Sequence, residues 1–448
     1  MGTKFDVTPE KQASVPRFFY NQLTVKPVTV QGVSLAGKTA LVTGSNSGVG
    51  LETSRQLLDL GLSKLILAVR SEERGQTAKK KLSAGRNLSD DSIEVWNLDQ
   101  SDYGSVVAFA ERAKSLPRLD IVVLNIGIGN ATRVFNPKTG HDEMIQVNYL
   151  STALLTLLLL PIVKEKRAVQ GGPSRITVVS SEVSAWTAFK EKESFPLLAS
   201  LDQKNAKVDP LDRMMVSKLL GQFFLSYLAS IVPPSVVIIN AASPGSVHDS
   251  EFNREHDQTF SGAIAKIVMR RLANTAAVGA RMITDAAVNH GQETHGEFLS
   301  FQKIVPLAPI IYTAEGKKIS ERLWKETEEE LAFANLEEIL RTISEGTAAD
   351  PQARPAAQRG RPRYGTPGCS QTESAESIGD HGPGGVLQPA NGPILQNGHP
   401  DGGYLYSDWL VTISATEGVS RRRWHQQAHL AMVAGARINQ PHAASTGL

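Results

Sequence analysis

The chain has 448 residues, 41% of them hydrophobic, which is enough for one large domain or for about three ordinary ones. Its 47 Lys and Arg residues nearly balance its 45 Asp and Glu residues, so the net charge of +2 gives no electrostatic indication of binding to nucleic acid or to an anionic membrane. The single cysteine, Cys369, excludes an intramolecular disulfide and a cysteine-rich zinc site, and it is typical of a reducing compartment such as the cytoplasm.

The sequence predicts no membrane span. Its longest apolar run, residues 149–163, contains Ser151, Thr152 and Thr156 and falls short of the roughly twenty residues that cross a bilayer. The first residues also lack the apolar core of a signal peptide. We therefore expect this run to be a buried helix, and no metal site is predicted.

Between residues 34 and 345, short apolar runs alternate with helical patterns. This alternation is typical of a parallel sheet covered by helices on both faces. We predict a single α/β domain over 34–345, a Rossmann-type doubly wound parallel sheet, preceded by an N-terminal lead-in at 1–33. The predicted strands are 39–43, 65–69, 93–98, 121–125, 176–180 and 236–241, and the predicted helices are 49–60, 71–84, 104–115, 141–161 and 212–230.

The pattern is lost from residue 346 onward. Residues 351–403 contain 8 Pro and 11 Gly among 53 positions, a composition that buries too little apolar surface to offset the entropy of ordering the chain. We predict a low-complexity, disordered tail over 346–448 and assign it no chemistry.

A glycine-rich turn follows the first strand. Gly44 permits a sharp turn, Gly48 permits close approach of the backbone to a phosphate, and Gly50 permits close packing of helix on sheet. The helix that follows offers unpaired N–H groups and the positive end of its dipole to an anion. The turn therefore predicts a site for the pyrophosphate of a dinucleotide, with contacts from Gly44, Ser47, Gly48, Val49 and Gly50.

The end of the second strand indicates which dinucleotide is bound. An NAD site usually has an acidic residue there to hold the ribose 2′-hydroxyl, whereas a cation suits the 2′-phosphate of NADP. Arg70 stands at this position, so NADP is the predicted cofactor and Arg70 its 2′-phosphate ligand, with Ser45 as a possible helper. The alternative is a solvated surface arginine.

Together with these features, later motifs resemble the short-chain dehydrogenase/reductase family in its usual order, over residues 34–336. The segments 58–75 and 319–333 are similar to a fungal, retinol-dehydrogenase-like branch of that family. The motifs are Thr43-Gly44-x-x-x-Gly48-x-Gly50, Asn125-Ile126-Gly127, Ser180-Ser181, Ser217-Lys218 and Pro244-Gly245.

The resemblance implies further cofactor contacts. Asp99 would accept a hydrogen bond from the adenine amino group, and the Val247 backbone would face the nicotinamide carboxamide. Asn125 and Gly127 match the family's Asn-Asn-Ala-Gly motif, of which this chain keeps the second Asn and the Gly. Asp249 stands where many relatives have threonine.

The resemblance also implies a catalytic set from which one member is missing. Asn148, Ser181 and Lys218 match the family's Asn, Ser and Lys, and Lys218 would also bind the nicotinamide ribose. Four residues before Lys218, the family's tyrosine is replaced by Met214. A thioether has no proton to donate, and general acid catalysis typically contributes about 10²–10⁴-fold.

This replacement leaves three alternatives. The first, which we adopt as the prediction, is an NADP(H)-dependent oxidoreductase, with the proton supplied by Ser181, water, a substrate hydroxyl or a side chain such as Tyr149. The second is a non-redox cyclase or isomerase, and the third is a catalytically inactive binding protein. The fungal resemblance favours a role in secondary metabolism.

Weaker features concern the partners. Trp186, Phe189 and Phe195 lie where the family builds its substrate wall, which favours a small apolar substrate. The apolar residues 154–160 would suit either a core or a contact between subunits, so a homo-oligomer is left open. His141 is isolated in the sequence and is predicted to lie at the surface.

Overall fold

The computed structural model describes residues 5–248 and 271–345. Within these ranges, eight strands form one sheet in the order β3-β2-β1-β4-β5-β6-β7-β8. The first seven strands pair in parallel and only β8 pairs antiparallel, which confirms the predicted doubly wound parallel sheet. The predicted tail over 346–448, and Asp249, lie outside the described residues.

All six predicted strands are present, with bounds that differ from the prediction by at most two residues. The last two strands were not predicted, because a strand of three residues is too short to show a periodic pattern. The strands are β1 Thr39–Thr43, β2 Lys64–Val69, β3 Ile93–Asn97, β4 Ile121–Leu124, β5 Ser174–Val179, β6 Val237–Ala242, β7 Phe298–Ser300 and β8 Lys303–Val305.

The five predicted helices are also present, although the fourth continues nine residues past its predicted end, through Pro161, until Gly171 adopts a left-handed conformation. A π-helical turn, Gln146–Leu150, interrupts this helix near its start. The α-helices are α1 Pro9–Gln12, α2 Val15–Thr24, α3 Gly48–Asp59, α4 Glu72–Ser83, α5 Tyr103–Ala113, α6 Glu143–Ile145, α7 Ser151–Gln170, α8 Leu197–Leu201, α9 Pro210–Ile231, α10 Ala276–Val288, α11 Ala314–Glu330 and α12 Leu336–Ser344.

Both faces of the sheet are buried, because successive side chains of a strand point to opposite faces. In β1, Leu41 joins the hydrophobic core on one face, and Ala40 and Val42 join the core on the other. This two-sided burial explains why the strands are continuous apolar runs. Parallel pairing places the carboxyl ends of these strands along one edge of the sheet, where ligands bind in such folds.

Two helical segments, Glu143–Gln170 and Pro210–Ile231, are long and apolar enough to cross a membrane by length and composition. The structure buries 89% and 61% of their most apolar windows inside the protein. Packing against the sheet accounts for their hydropathy, as expected for core helices.

The residues before the predicted boundary at 34 also pack against the sheet domain. Phe18 of α2 lies in a small hydrophobic cluster with Met282 and Phe301, and Val30 is buried. The boundaries of the three predicted segments stay a prediction.

The prediction of a surface position for His141 is wrong. The residue is 9% exposed, and its two ring nitrogens lie 2.6 Å from Asp202 Oδ2 and 2.9 Å from Glu330 Oε1. Burial opposes protonation of the ring, but the hydrogen bonds to these two carboxylates prevail and raise the pKa of His141 to about 9. The imidazolium therefore connects the loop before α6 with the carboxyl-terminal ends of α8 and α11.

This cluster predicts that the protein loses stability at alkaline pH. Because the folded-state pKa of His141 is raised, its contribution is complete below about pH 6.5 and is lost as the pH rises through about 9. A shift of this size corresponds to a free energy of about 3 kcal/mol. We expect the free energy of unfolding in urea to fall more from pH 6 to pH 9.5 in wild type than in His141→Gln. Equal losses in the two proteins would contradict the assignment.

Candidate active site

The predicted site residues lie at or near one edge of the sheet, where the parallel strands end. The phosphate turn joins β1 to α3, and the other residues follow strands or lie on the helices that pack beside this edge. They are Arg70 after β2, Asp99 after β3, Asn125 and Gly127 after β4, Asn148 in the π-helical turn, Ser181 after β5, Lys218 in α9 and Val247 after β6.

The glycines of the phosphate turn are required by its geometry. Gly44 and Gly48 have φ angles of +63° and +54°, a region that disfavours residues with a Cβ. A Cβ on Gly50 would lie 2.4 Å from the Gly44 carbonyl oxygen and 2.5 Å from Asn125 Nδ2. The first turn of α3 therefore packs directly against the turn that precedes it, as predicted for Gly50.

The same turn has unsatisfied polar groups. Ser47 precedes α3 but its side chain makes no capping hydrogen bond, and the first N–H groups of a helix have no acceptor within the helix. Ser45 is fully buried, and its hydroxyl has no hydrogen-bond partner among the described residues. Open amides and an orphaned hydroxyl beside a close-packed glycine turn fit a bound phosphate, so this chain's residues are suited to a dinucleotide.

Thr43 and Asn125 hold the turn in place. Thr43 Oγ1 accepts hydrogen bonds from the backbone N–H groups of Asn125 and Ile126, at 2.9 and 3.1 Å. Asn125 Nδ2 donates to the carbonyl oxygens of Thr43 and Gly44, at 3.0 and 3.3 Å. Asn125 thus links the ends of β1 and β4, and the direct cofactor contact proposed for it stays a prediction.

Two arginines lie on the β2 side of the turn. The side chain of Arg70 is exposed, and within the described part of the chain its guanidinium forms no ion pair. Arg74 of α4, which the sequence analysis did not single out, contacts the turn: with the Asn46 amide oriented to satisfy both groups, its guanidinium donates to Asn46 Oδ1 at 3.0 and 3.2 Å. No local sequence pattern predicts this contact, because Arg74 and Asn46 belong to different elements and meet only in the folded protein.

The remaining cofactor candidates, Asp99, Gly127 and Val247, follow β3, β4 and β6. Asp99 is half-buried, and one of its carboxylate oxygens accepts from the N–H and hydroxyl of Ser101. Val247 is half-buried, pairs with Asn274 in an isolated parallel bridge and contacts Gly279 of α10 closely. These contacts fix the loop after β6, while the roles of Asp99, Gly127 and Val247 stay predictions.

Asn148 connects two parts of the site through its side chain. Its Oδ1 accepts from the Ile128 N–H at 2.8 Å, and its Nδ2 donates to the Ile128 carbonyl at 3.0 Å and to Ser217 Oγ at 2.9 Å. It lies in the π-helical turn, a rare element that is frequent at functional sites. Asn148 therefore links Ser217, the residue before Lys218, to Ile128 in the segment after β4.

Lys218 lies beside the end of β5. Its ammonium donates to the Val179 carbonyl at 3.1 Å, and burial lowers its pKa to about 8. One turn earlier, Met214 is 8% exposed, and its carbonyl accepts a hydrogen bond from Ser217 Oγ at 2.6 Å. A lysine of lowered pKa therefore lies in the site, with a buried thioether one helical turn before it.

Ser181 begins the short 3₁₀ helix Glu182–Ala185. Among the described residues, its Oγ accepts only a long, 3.4 Å hydrogen bond from the Val183 N–H, so the hydroxyl is available to a ligand. The next residue, Glu182, is buried beneath the site and was also missed by the sequence analysis. The buried Glu182 carboxyl accepts hydrogen bonds of 2.5 Å from Ser243 Oγ and from Ser300 Oγ, and burial raises its pKa.

Tyr149 is excluded as the replacement proton donor. It is 1% exposed, and its hydroxyl forms a 2.6 Å hydrogen bond with Thr327 Oγ1 of α11. Burial raises its pKa further above its ordinary value. The hydroxyl is therefore buried against α11 and is committed to Thr327.

Comparison with known proteins identifies the family. The family model described as short chain dehydrogenase matches residues 38–190. The chain is 45% identical over 349 residues to the short-chain dehydrogenase fogG of Aspergillus ruber, covering 77% of this chain and 100% of that protein. It is 40% identical over 333 residues to the short chain dehydrogenase/reductase mfmJ of Annulohypoxylon moriforme, covering 73% and 94%.

Among solved structures, an NADPH-bound short chain oxidoreductase of Pseudomonas aeruginosa PAO1, described as containing an atypical catalytic center, matches 60% of this chain and 96% of that one at 20% identity and a TM-score of 0.46. The retinol-dehydrogenase-like branch stays a prediction. The two fungal relatives are matched along nearly their whole length. The chain therefore belongs to the short-chain dehydrogenase/reductase family of oxidoreductases.

Proposed function

We propose that the protein is an NADP(H)-dependent oxidoreductase that acts on a small apolar carbonyl or alcohol in fungal secondary metabolism. The observation that carries the proposal is the glycine turn after β1, with its open amides and the buried, unpartnered Ser45 hydroxyl. The names of the fungal relatives support a dehydrogenase. The cytoplasmic location and the homo-oligomer stay predictions.

The dinucleotide would lie along the carboxyl edge of the sheet. The turn amides would bind the pyrophosphate, and Arg70 would bind the 2′-phosphate, since its guanidinium is exposed at the end of β2. When bound, the nicotinamide supplies or accepts the hydride. Lys218 would hold the ribose beside it, while Ser181 would hold the substrate oxygen.

The proton in this scheme comes from Lys218. A lysine whose pKa is lowered to about 8 by burial exchanges protons near neutral pH, which suits a general acid. The Lys218 side chain reaches the end of β5, two residues before Ser181, so its ammonium lies on the strand that presents the hydroxyl. A thioether cannot donate a proton, so we expect Met214 to take no part in proton transfer and ketone reduction by this chain to be slow.

The substrate proposal depends on the segment after β5. Trp186 packs edge-on against Phe18 and is half-buried, whereas Phe195 is 81% exposed and Phe189 belongs to the core. Of the three aromatic residues predicted for the substrate wall, Trp186 is thus the one that we keep in that role. An aromatic wall favours an apolar substrate.

Titration of the protein with NADPH and NADH, followed by nucleotide fluorescence, tests the cofactor assignment. We expect Arg70→Glu to weaken NADPH binding by about 10–100-fold and to change NADH binding little, because only NADPH has the 2′-phosphate. Arg341→Glu, at an exposed arginine of α12, is the matched control and should change neither affinity. Equal weakening of both nucleotides by Arg70→Glu would refute the 2′-phosphate role, and failure of wild type to bind either would refute the proposed function.

A further inference from the structure

The N-terminal helix α2 lies against the loop that follows β6. We propose that Gln22 of α2 is a positioning residue that holds the Gly245–Ser246 backbone against the nicotinamide half of the bound dinucleotide. The proposal rests on the proposed function, and it makes a segment outside the predicted domain part of the cofactor site.

The side-chain amide of Gln22 forms hydrogen bonds with both backbone groups of Ser246, as a neighbouring β-strand would. Its Oε1 accepts from the Ser246 N–H at 3.0 Å, and its Nε2 donates to the Ser246 carbonyl at 3.1 Å. Nε2 also lies 3.4 Å from the Leu272 carbonyl oxygen, so the amide contacts both Ser246 and Leu272. Gln22 is 4% exposed, and a buried amide with these partners is fixed in place.

The approach is close enough to require a glycine. A Cβ on Gly245 would lie 2.7 Å from Gln22 Oε1, and Gly245 has a φ angle of +67°. The Gly245 N–H in turn donates to Ser243 Oγ at 3.0 Å, and this hydroxyl donates to the buried Glu182. The loop is therefore held from one side by Gln22 and from the other by the residue after Ser181.

A second contact ties the same N-terminal segment to the segment after β5. The centroids of the Phe18 and Trp186 rings are 5.3 Å apart in an edge-to-face arrangement. Trp186 Nε1 also donates a hydrogen bond to the Ala13 carbonyl oxygen at 2.7 Å. Trp186 ends the 3₁₀ helix that Ser181 begins. The segment thus bridges the two loops between which a nicotinamide and its substrate would react.

The position of these contacts predicts which half of the dinucleotide they affect. The phosphate turn and Arg70 lie at the ends of β1 and β2, whereas Gln22 contacts the loop after β6, three strands away from β1 in the sheet. Loss of Gln22 should therefore loosen the nicotinamide end and leave the adenosine end intact.

The test compares NADPH with 2′,5′-ADP, which carries the adenosine 2′-phosphate but no nicotinamide. In calorimetric titrations of the full-length chain, we expect Gln22→Leu to weaken NADPH binding about tenfold, from the loss of the two hydrogen bonds to Ser246, without changing the affinity for 2′,5′-ADP. Gln12→Leu, at a buried glutamine of α1 that contacts Arg17 instead, should change neither affinity.

Each outcome separates this inference from the proposed function. If wild type binds neither ligand, the proposed function fails. If wild type binds both and Gln22→Leu leaves the ratio of the two affinities unchanged, the positioning role of Gln22 is wrong. Parallel loss of both affinities, which general destabilisation would cause, overturns the inference in the same way.

Discussion

Replacing Met214 by tyrosine is expected to raise the rate of ketone reduction by about 10²–10⁴-fold, because it restores a proton donor one helical turn from Lys218. Met214 is buried in α9, four residues before Lys218, and the lysine charge would lower the pKa of the new phenol. The measurement is NADPH oxidation with a panel of apolar ketones. The affinity for NADPH should not change, since the phosphate turn and Lys218 are intact.

The neighbouring Met215 provides the control. It lies on the same helix but is turned about 100° away from Met214, so Met215→Tyr should leave the activity at the wild-type level. A rate increase in Met214→Tyr alone would support a redox site that lacks its usual acid. If the variant binds NADPH but reduces no ketone faster than wild type, the assignment of position 214 to the missing proton donor is wrong.

Gly50→Ala is expected to weaken NADPH binding by about 10–100-fold. The added Cβ would lie within 2.5 Å of two groups that hold the turn, the Gly44 carbonyl and the Asn125 amide, so either α3 or the turn must move. Overpacking of this kind costs about 1–3 kcal/mol, which corresponds to the stated loss if it falls on the bound conformation. Nucleotide titration measures the affinity, and thermal unfolding measures the accompanying loss of stability.

Gly221→Ala is the matched control for this change. Gly221 lies inside α9, where a Cβ would meet nothing within 4 Å, so alanine should stabilise the helix by about 0.5–1 kcal/mol and leave NADPH binding unchanged. Unchanged NADPH affinity in Gly50→Ala would mean that the dinucleotide does not use this turn.

The features that the sequence predicts well are those set by neighbouring residues. The strand Thr39–Thr43 matches its predicted bounds, because five consecutive apolar or β-branched residues between turn residues have few other stable arrangements. The positive φ angles of Gly44 and Gly48 follow from the same local chemistry. The exception is α7, for which the predicted end at residue 161 is too early, since the helix continues through Pro161 to Gln170.

Side chains that act across the fold could not be predicted in this way. Tyr149 precedes the core helix α7 and was a candidate proton donor, yet its hydroxyl bonds to Thr327, 178 residues later. His141 appeared isolated, but folding brings Asp202 and Glu330 to its ring. In both cases the hydrogen-bonding partner belongs to an element far away in the sequence, and no local pattern predicts which distant residues come into contact.

The sequence by itself determined the class of fold, the positions of the first six strands along the chain and the glycine-rich turn after β1. The tertiary structure alone decided that Gln22 holds Ser246, that Glu182 lies buried behind Ser181, and that Lys218 has a lowered pKa. The physical reason is that backbone conformation depends mainly on adjacent residues, whereas burial and hydrogen bonding depend on which distant surfaces exclude water together.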